Sequence, residues 1–312
     1  MTAEETRAIL TVSLLAAFVD GDKHERERAE IKRIAEGLSR AEGVNLPGLY
    51  QDVLMKRTSL ADAVAAIATD DSRQLAYEMA VCVCDADGVQ SAAEQTFLAE
   101  LGRALRLAPS ASSAFSEQAE AIAAAPLTPS PAAAPVGKAA VDPAELDKSI
   151  LNAAIVNGAL ELLPESLSMM AIIPLQMKLV YRIGQAHGYE LDRGHIKDFL
   201  ATAGVGLTSQ YLEQAGRKLL GGLLGRMGGG LLRGAGNQAV SSGMSFASTY
   251  ALGHVAKRYY AGGRTLSTQM LKDAYESVSI EAKGLQTQYL PAIREKARTL
   301  DAKQVLKMVR GA

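Results

Sequence analysis

Six carboxylates are the side chains in this sequence whose type and spacing could do chemistry. Asp20, Asp22 and Glu27 follow one apolar stretch, and Asp85, Asp87 and Glu94 follow another. Carboxylate oxygens are hard ligands, so these sets suit a divalent cation such as calcium or magnesium. Asp87-Gly88 through Glu94 has the spacing of the second half of an EF-hand loop. The first half fails, because the upstream ligand position falls on Val83 here and on Ala16 and Phe18 in the other copy. An EF-hand is therefore excluded, and any cation site has to be assembled from both loops. The competing role is structural: Asp20 and Asp87 solvate turns, while Glu94 completes a helix cap begun by Ser91.

Other chemistries fail on their own requirements. No Gly-Lys pair is followed by Ser or Thr, so there is no phosphate-binding loop. Gly234-x-Gly236-x-x-Ala239 imitates half of a dinucleotide fingerprint, but no strand precedes it. His24, His187, His195 and His254 show no HExxH pairing, and no serine sits in a G-x-S-x-G elbow. Cys82 and Cys84 lie one residue apart in an apolar helical run, where a disulfide would distort the helix; they read as buried thiols. The sequence points away from an enzyme.

The elements around the six acids come as a pair. AAFVDGDKHERERAEIKRIAEGL from Ala16 aligns without a gap on VCDADGVQSAAEQTFLAELGRAL from Val83. Asp20-Gly21 falls on Asp87-Gly88, Glu27 on Glu94, and Ile31, Ile34 and Leu38 on Leu98, Leu101 and Leu105. Each copy is an apolar helix, a turn in which glycine supplies a positive φ, and an amphipathic helix. Ser91-x-x-Glu94 is a capping box; Ser59-x-x-Asp62 and Asp71-x-x-Gln74 open two helices between the copies. The expected domain has about six helices and covers residues 1–108. These hairpins, AVCVCDADGVQSAAEQTFLAELGRALRL above all, resemble the TerB-like tellurite-resistance family. The resemblance implies an all-helical acidic bundle, proposed to bind a divalent metal, with a stress-response role near the membrane and no substrate turnover.

Residues 109–141 end in a run of Ala, Pro and Ser, which predicts a flexible linker with at most a short helix over 112–124. Asp142-Pro143 starts the next helix. A longer one contains Pro174, which should kink it, and Gly188 is a plausible cap at its end; a third opens at Asp192. The stretch 206–260 then reads GLTSQYLEQAGRKLLGGLLGRMGGGLLRGAGNQAVSSGMSFASTYALGHVAKRYY. Gly221, Gly225 and Gly229 repeat every fourth residue, the spacing that lets helix backbones approach closely, within one chain or between copies in a homo-oligomer. From PLQMKLVYRIGQAHGYEL through SFASTYALGHVAKRYYAGG, this part resembles the uncharacterised domain of YcjF-type inner-membrane proteins and the C-terminal regions of some bacterial GTPases. That resemblance implies membrane proximity. A helical extension over 266–312, broken at Pro291, follows the domain at 142–265.

Composition sets the frame. The 312 residues are 48 % hydrophobic and 21 % charged, with no Trp, and Ala and Leu dominate. Period-2 alternation is absent, so the fold class is all-α. The net charge of −1 conceals a split between about −7 over residues 1–141 and about +6 over 142–312. Arg217, Lys218, Arg226, Arg233, Lys257, Arg258 and Arg264 form a cationic set expected to favour an anionic membrane surface. Few aromatics interleave with them, which argues against nucleic acid. No segment is an ordinary membrane span and the N-terminus is not a secretory signal. The expectation is a cytoplasmic stress-response scaffold or sensor with protein partners, held peripherally at the inner membrane. The alternative is a soluble co-chaperone-like or regulatory adaptor without lipid contact.

Overall fold

The structure, a computed structural model, describes residues 2–19, 21, 32, 45–87, 90–127, 142–163, 168, 170–203 and 236–310. Every regular element among the described residues is helical. They form two compact units, the first running to Ala124, the second taking Ala125 to Ala203 and the residues from Gln238 onward.

The first unit contains α1 (Ala3–Ala17), α2 (Leu46–Leu54), α3 (Leu60–Ala65), α4 (Asp70–Cys84), a 3₁₀ turn (Asp85–Asp87), α5 (Ala92–Ala104) and α6 (Pro109–Ala123). Their starts follow from hydrogen-bonding side chains. Ser59 and Ser91 each accept from the backbone N–H three residues on, and Asp62 and Glu94 reach back to complete the box. The expected start at Asp71 is corrected: Thr69 is the N-cap, accepting from the Ser72 N–H, so Asp70 and Asp71 fall in the first turn, where negative charge suits the helix dipole.

The described part of the duplication is α1 and α4. Ala3 and Asp70 are 67 positions apart, as are Ala17 and Cys84, so α1 and α4 have identical bounds in the repeat register. Their caps correspond too: Thr2 and Thr69 each accept from the residue three positions on. The two helices pack along each other as the centre of the unit, burying Ile9, Val12 and Ala16 on one and Ala76, Met79, Ala80 and Val83 on the other. The Thr69 N–H donates to the Glu5 carboxylate at 3.2 Å and the Thr2 N–H donates to it at 2.9 Å, which ties their N-terminal ends together. Glu5 is buried, and these backbone donors, Thr2 first, hold its carboxyl below its ordinary pKa against the opposing effect of burial.

The expected boundary at 108 is also corrected. Pro109 occupies the first turn of α6, where its missing N–H costs nothing, and Phe115, Ala119 and Ile122 make a buried stripe. This helix packs on α4, and α2 shifted by the same 67 positions falls inside it. It is the third helix of the second repeat.

The second unit comprises α7 (Pro143–Glu161), α8 (Ile172–Ala186), α9 (Arg193–Thr202), α10 (Gly236–Ala261), α11 (Thr268–Thr299) and α12 (Ala302–Arg310). Asp142 and Asp192 cap α7 and α9 as expected. Past the end of α8, Gly188 adopts φ +83° and the Tyr189 N–H reaches the Gly184 carbonyl at 3.0 Å, a glycine-terminated helix end. The two prolines behave differently, and only the break expected at Pro291 is corrected. Pro174 sits in the first turn of α8, where its missing N–H has no intrahelical partner to lose; Ser168 and Met170 before it are also helical and Ala171 is a turn, so the helical run is interrupted just ahead of the proline. Pro291 lies inside α11 without ending it; it and Thr287, whose carbonyl loses its partner, are both exposed, so water can replace that bond. Nor is 266–312 a separate extension, since α11 packs along α7 and buries Leu271, Ala282 and Ile293. The Gly221/Gly225/Gly229 repeat lies outside the described residues.

Candidate functional site

The hairpin after α4 is where the described acids gather. Asp85 closes α4 and is 2 % exposed; its Oδ1 accepts from Gln90 Nε2 at 2.9 Å. Glu94 is 6 % exposed; its Oε2 accepts the Ser91 N–H at 2.7 Å, and its own N–H donates to Ser91 Oγ at 3.2 Å. Glu94 thus performs the capping role weighed for it. Asp85, in the 3₁₀ turn, and Glu94, in the first turn of α5, stand on either side of the same hairpin connection. Asp20, Asp22 and Glu27, and the side chain of Asp87, lie outside the described residues. Among the described residues no group of three or more His, Cys, Asp or Glu is placed to hold a metal ion. Gly21 adopts φ +72°, as the paired-turn reading requires. Cys82 and Cys84 are buried thiols, not a disulfide.

The cationic set divides similarly. Arg217, Lys218, Arg226 and Arg233 lie outside the described residues. Lys257 Nζ binds Asp147 Oδ1 at 2.6 Å and the Pro143 carbonyl at 3.2 Å, pinning α10 to the start of α7. Arg264 lies 5.8 Å from the ring centre of Tyr189, and a hydrogen bond with Tyr259 raises its pKa. Arg258 is exposed. No helix among the described residues is long and apolar enough to cross a membrane.

Two features escaped the sequence reading. Lys178, in the buried face of α8, is 4 % exposed and donates from Nζ to the Val309 carbonyl in the last turn of α12; burial pushes its pKa down. The backbone dipole of a helix C-terminus favours that cation. The other is a polar seam among α7, α8 and α10, built on Asn157, Gln176 and Thr249. Its signal was present as Ser245, Thr249 and Gly253, small residues every fourth position. A Cβ on Gly253 would lie 2.6 Å from Ile150 Cγ2, so this glycine lets α10 approach α7.

Among the described residues these observations define a class, an all-helical bundle in which two helices matched in the repeat register, α1 and α4, pack along each other, with buried carboxylates at the turn after α4. Residues 6–117 are similar to the family model described as tellurite resistance protein TerB. The matched segment runs into α6, in keeping with that helix's place in the first unit. No curated protein and no solved structure matches the chain.

Proposed function

We propose that the protein is a non-enzymatic scaffold or sensor of the tellurite-related stress response, whose first unit presents both hairpin turns together to a divalent cation or a protein partner. One observation carries this reading. With α1 and α4 matched in length and tied at their N-terminal ends through Glu5 and Thr69, the turns that follow them belong at the opposite end of the same bundle. Acids drawn from both turns then offer oxygens to one ligand, as the failed EF-hand spacing requires. Because Glu94 is committed to its cap, the cation-binding share falls to Asp20, Asp22, Glu27, Asp85 and Asp87.

Titration calorimetry of the full chain with calcium, magnesium and manganese tests the cation. Heat with calcium that disappears in the D20N/D87N variant supports it; no heat with any of the three removes it and leaves the protein partner.

In the membrane form of this reading, the basic second unit holds the module peripherally at an anionic surface through the cations from Arg217 to Arg264. The adaptor form, without lipid contact, is favoured by the engagement of Lys257 and Arg264 within the protein. Fractionation of cell lysate separates them. Membrane-bound protein released by high salt supports anchoring, and protein wholly in the soluble fraction at low salt supports the adaptor.

A further inference from the structure

The helix α12 combines a cationic side with an apolar one. It reads AKQVLKMVR, with three cations, Lys303, Lys307 and Arg310, and no acid. The cations are spaced four and three positions apart, the interval of one helix face, and at about 100° per residue Val305, Met308 and Val309 fall opposite them. Val305 and Val309 are buried and Met308 is half-buried, while Gln304 and Lys307 are exposed. A helix of this pattern suits two settings: the surface of a core, with its apolar side inward, or the headgroup region of an anionic bilayer. The structure shows the first, with α12 packed on α8.

Three features of that seat make α12 separable. It carries its own cap: Asp301 Oδ1 accepts the Gln304 N–H at 2.7 Å and the Asp301 carbonyl accepts the Val305 N–H at 2.9 Å, so the start of the helix does not depend on α8. Its link to α11 is Leu300, a single residue with extended backbone at ψ 131°, which can serve as a pivot. The seat also contains a buried charge. Lys178 on α8 gives up water to donate from Nζ to the Val309 carbonyl, and Arg182 on the same helix adds a like charge beside it. The dipole at the end of α12 returns part of that desolvation cost. When α12 lifts, Lys178 regains water and the cost disappears. Against it, the described apolar gain is two valines and half a methionine.

An anionic bilayer competes for both sides of such a helix, whereas Lys257 and Arg264 are already engaged within the protein. We infer that α12 is the membrane-binding element of this chain, stored on α8 and released to lie in the interface of an anionic bilayer, with Val305 and Val309 toward the acyl chains and Lys303, Lys307 and Arg310 at the phosphates. The inference rests on the membrane form of the proposed function and assigns the contact to one element. Docked on α8, the helix keeps its apolar side from lipid, so binding and undocking are the same event.

The test uses the full chain with Met308→Cys carrying a fluorophore; Cys82 and Cys84 are buried and leave the added thiol as the reactive one. The chain is mixed with vesicles of phosphatidylcholine alone or of equal parts phosphatidylcholine and phosphatidylglycerol, each holding a lipid with a nitroxide on its acyl chain. The expected result is quenching with the phosphatidylglycerol vesicles and none with phosphatidylcholine alone. In sedimentation of the unlabelled protein, Lys303→Gln with Lys307→Gln should lower the partition coefficient about 30-fold. Binding that leaves the fluorophore unquenched, or that the double variant does not weaken, assigns the contact to other cations; it overturns the role of α12 and leaves the membrane form standing. No sedimentation with either vesicle removes both.

Discussion

Gly253 and Gly284 should respond oppositely to the same substitution. Both lie inside long helices, so alanine at either relieves the glycine penalty of about 1 kcal/mol. At Gly284 nothing lies within 4 Å of a new Cβ, and the full gain should appear as added stability. At Gly253 the new methyl meets Ile150 Cγ2 at 2.6 Å, Ile150 Cγ1 at 2.9 Å and Leu179 Cδ2 at 3.2 Å. Ile150 is fully buried and β-branched, so its rotamer has little freedom to yield. Overpacking of this kind costs about 1–3 kcal/mol, leaving G253A net destabilised by roughly 0–2 kcal/mol. The two variants should therefore differ by about 1–3 kcal/mol in the second unit's urea transition, followed by circular dichroism. Ile150→Ala, which removes both carbons that the new methyl meets, should therefore cost less in the G253A background than in the natural protein or in G284A. If both single variants gain stability equally, the close approach of α10 to α7 is wrong.

Three other outcomes follow from named contacts. Because the folded-state pKa of Glu5 is lowered, its contribution is full above its ordinary value near 4.3 and declines as pH falls through and below that value; urea midpoints of wild type and E5Q should converge on acidification. Lys178 has a lowered folded-state pKa, so the unfolded chain binds the extra proton at alkaline pH, and stability relative to K178M should rise between neutrality and about pH 10. The same denaturation series extended upward checks it. Ser91→Ala removes the cap of α5 and should cost about 1 kcal/mol in the first unit's unfolding midpoint.

Local rules carried much of the fold. The gapless alignment anticipated the matched bounds of α1 and α4, and Ser59, Ser91, Asp142 and Asp192 cap the helices they were expected to start. Each of these depends on hydrogen bonds spanning a few residues, which a sequence displays directly. Thr69 was overlooked because Asp71 offers the same chemistry two residues later; the register with Thr2 separates them. Pro291 misled because a proline's effect depends on whether the freed carbonyl meets water. The helix over 109–123 was placed in the linker because its apolar residues are few and have value only against α4. The polar seam was illegible for a similar reason: Asn157, Gln176 and Thr249 are 92 positions apart at the widest, and only packing reveals that they share one hydroxyl. In the site itself, the capping role of Glu94 could be read from its spacing, whereas the burial of Asp85 could not.

The equal lengths of α1 and α4 constrain how the first unit can change. Removing one residue from inside either helix would turn everything beyond it by about 100° and draw it back by about 1.5 Å, swinging its Asp-Gly turn away from its counterpart. A residue added between Met55 and Thr58, in the connection outside the matched pair, would be absorbed by the loop. The two copies can drift apart in side chains, as Ile9 opposite Ala76 in the register already illustrates, yet they must keep step in length.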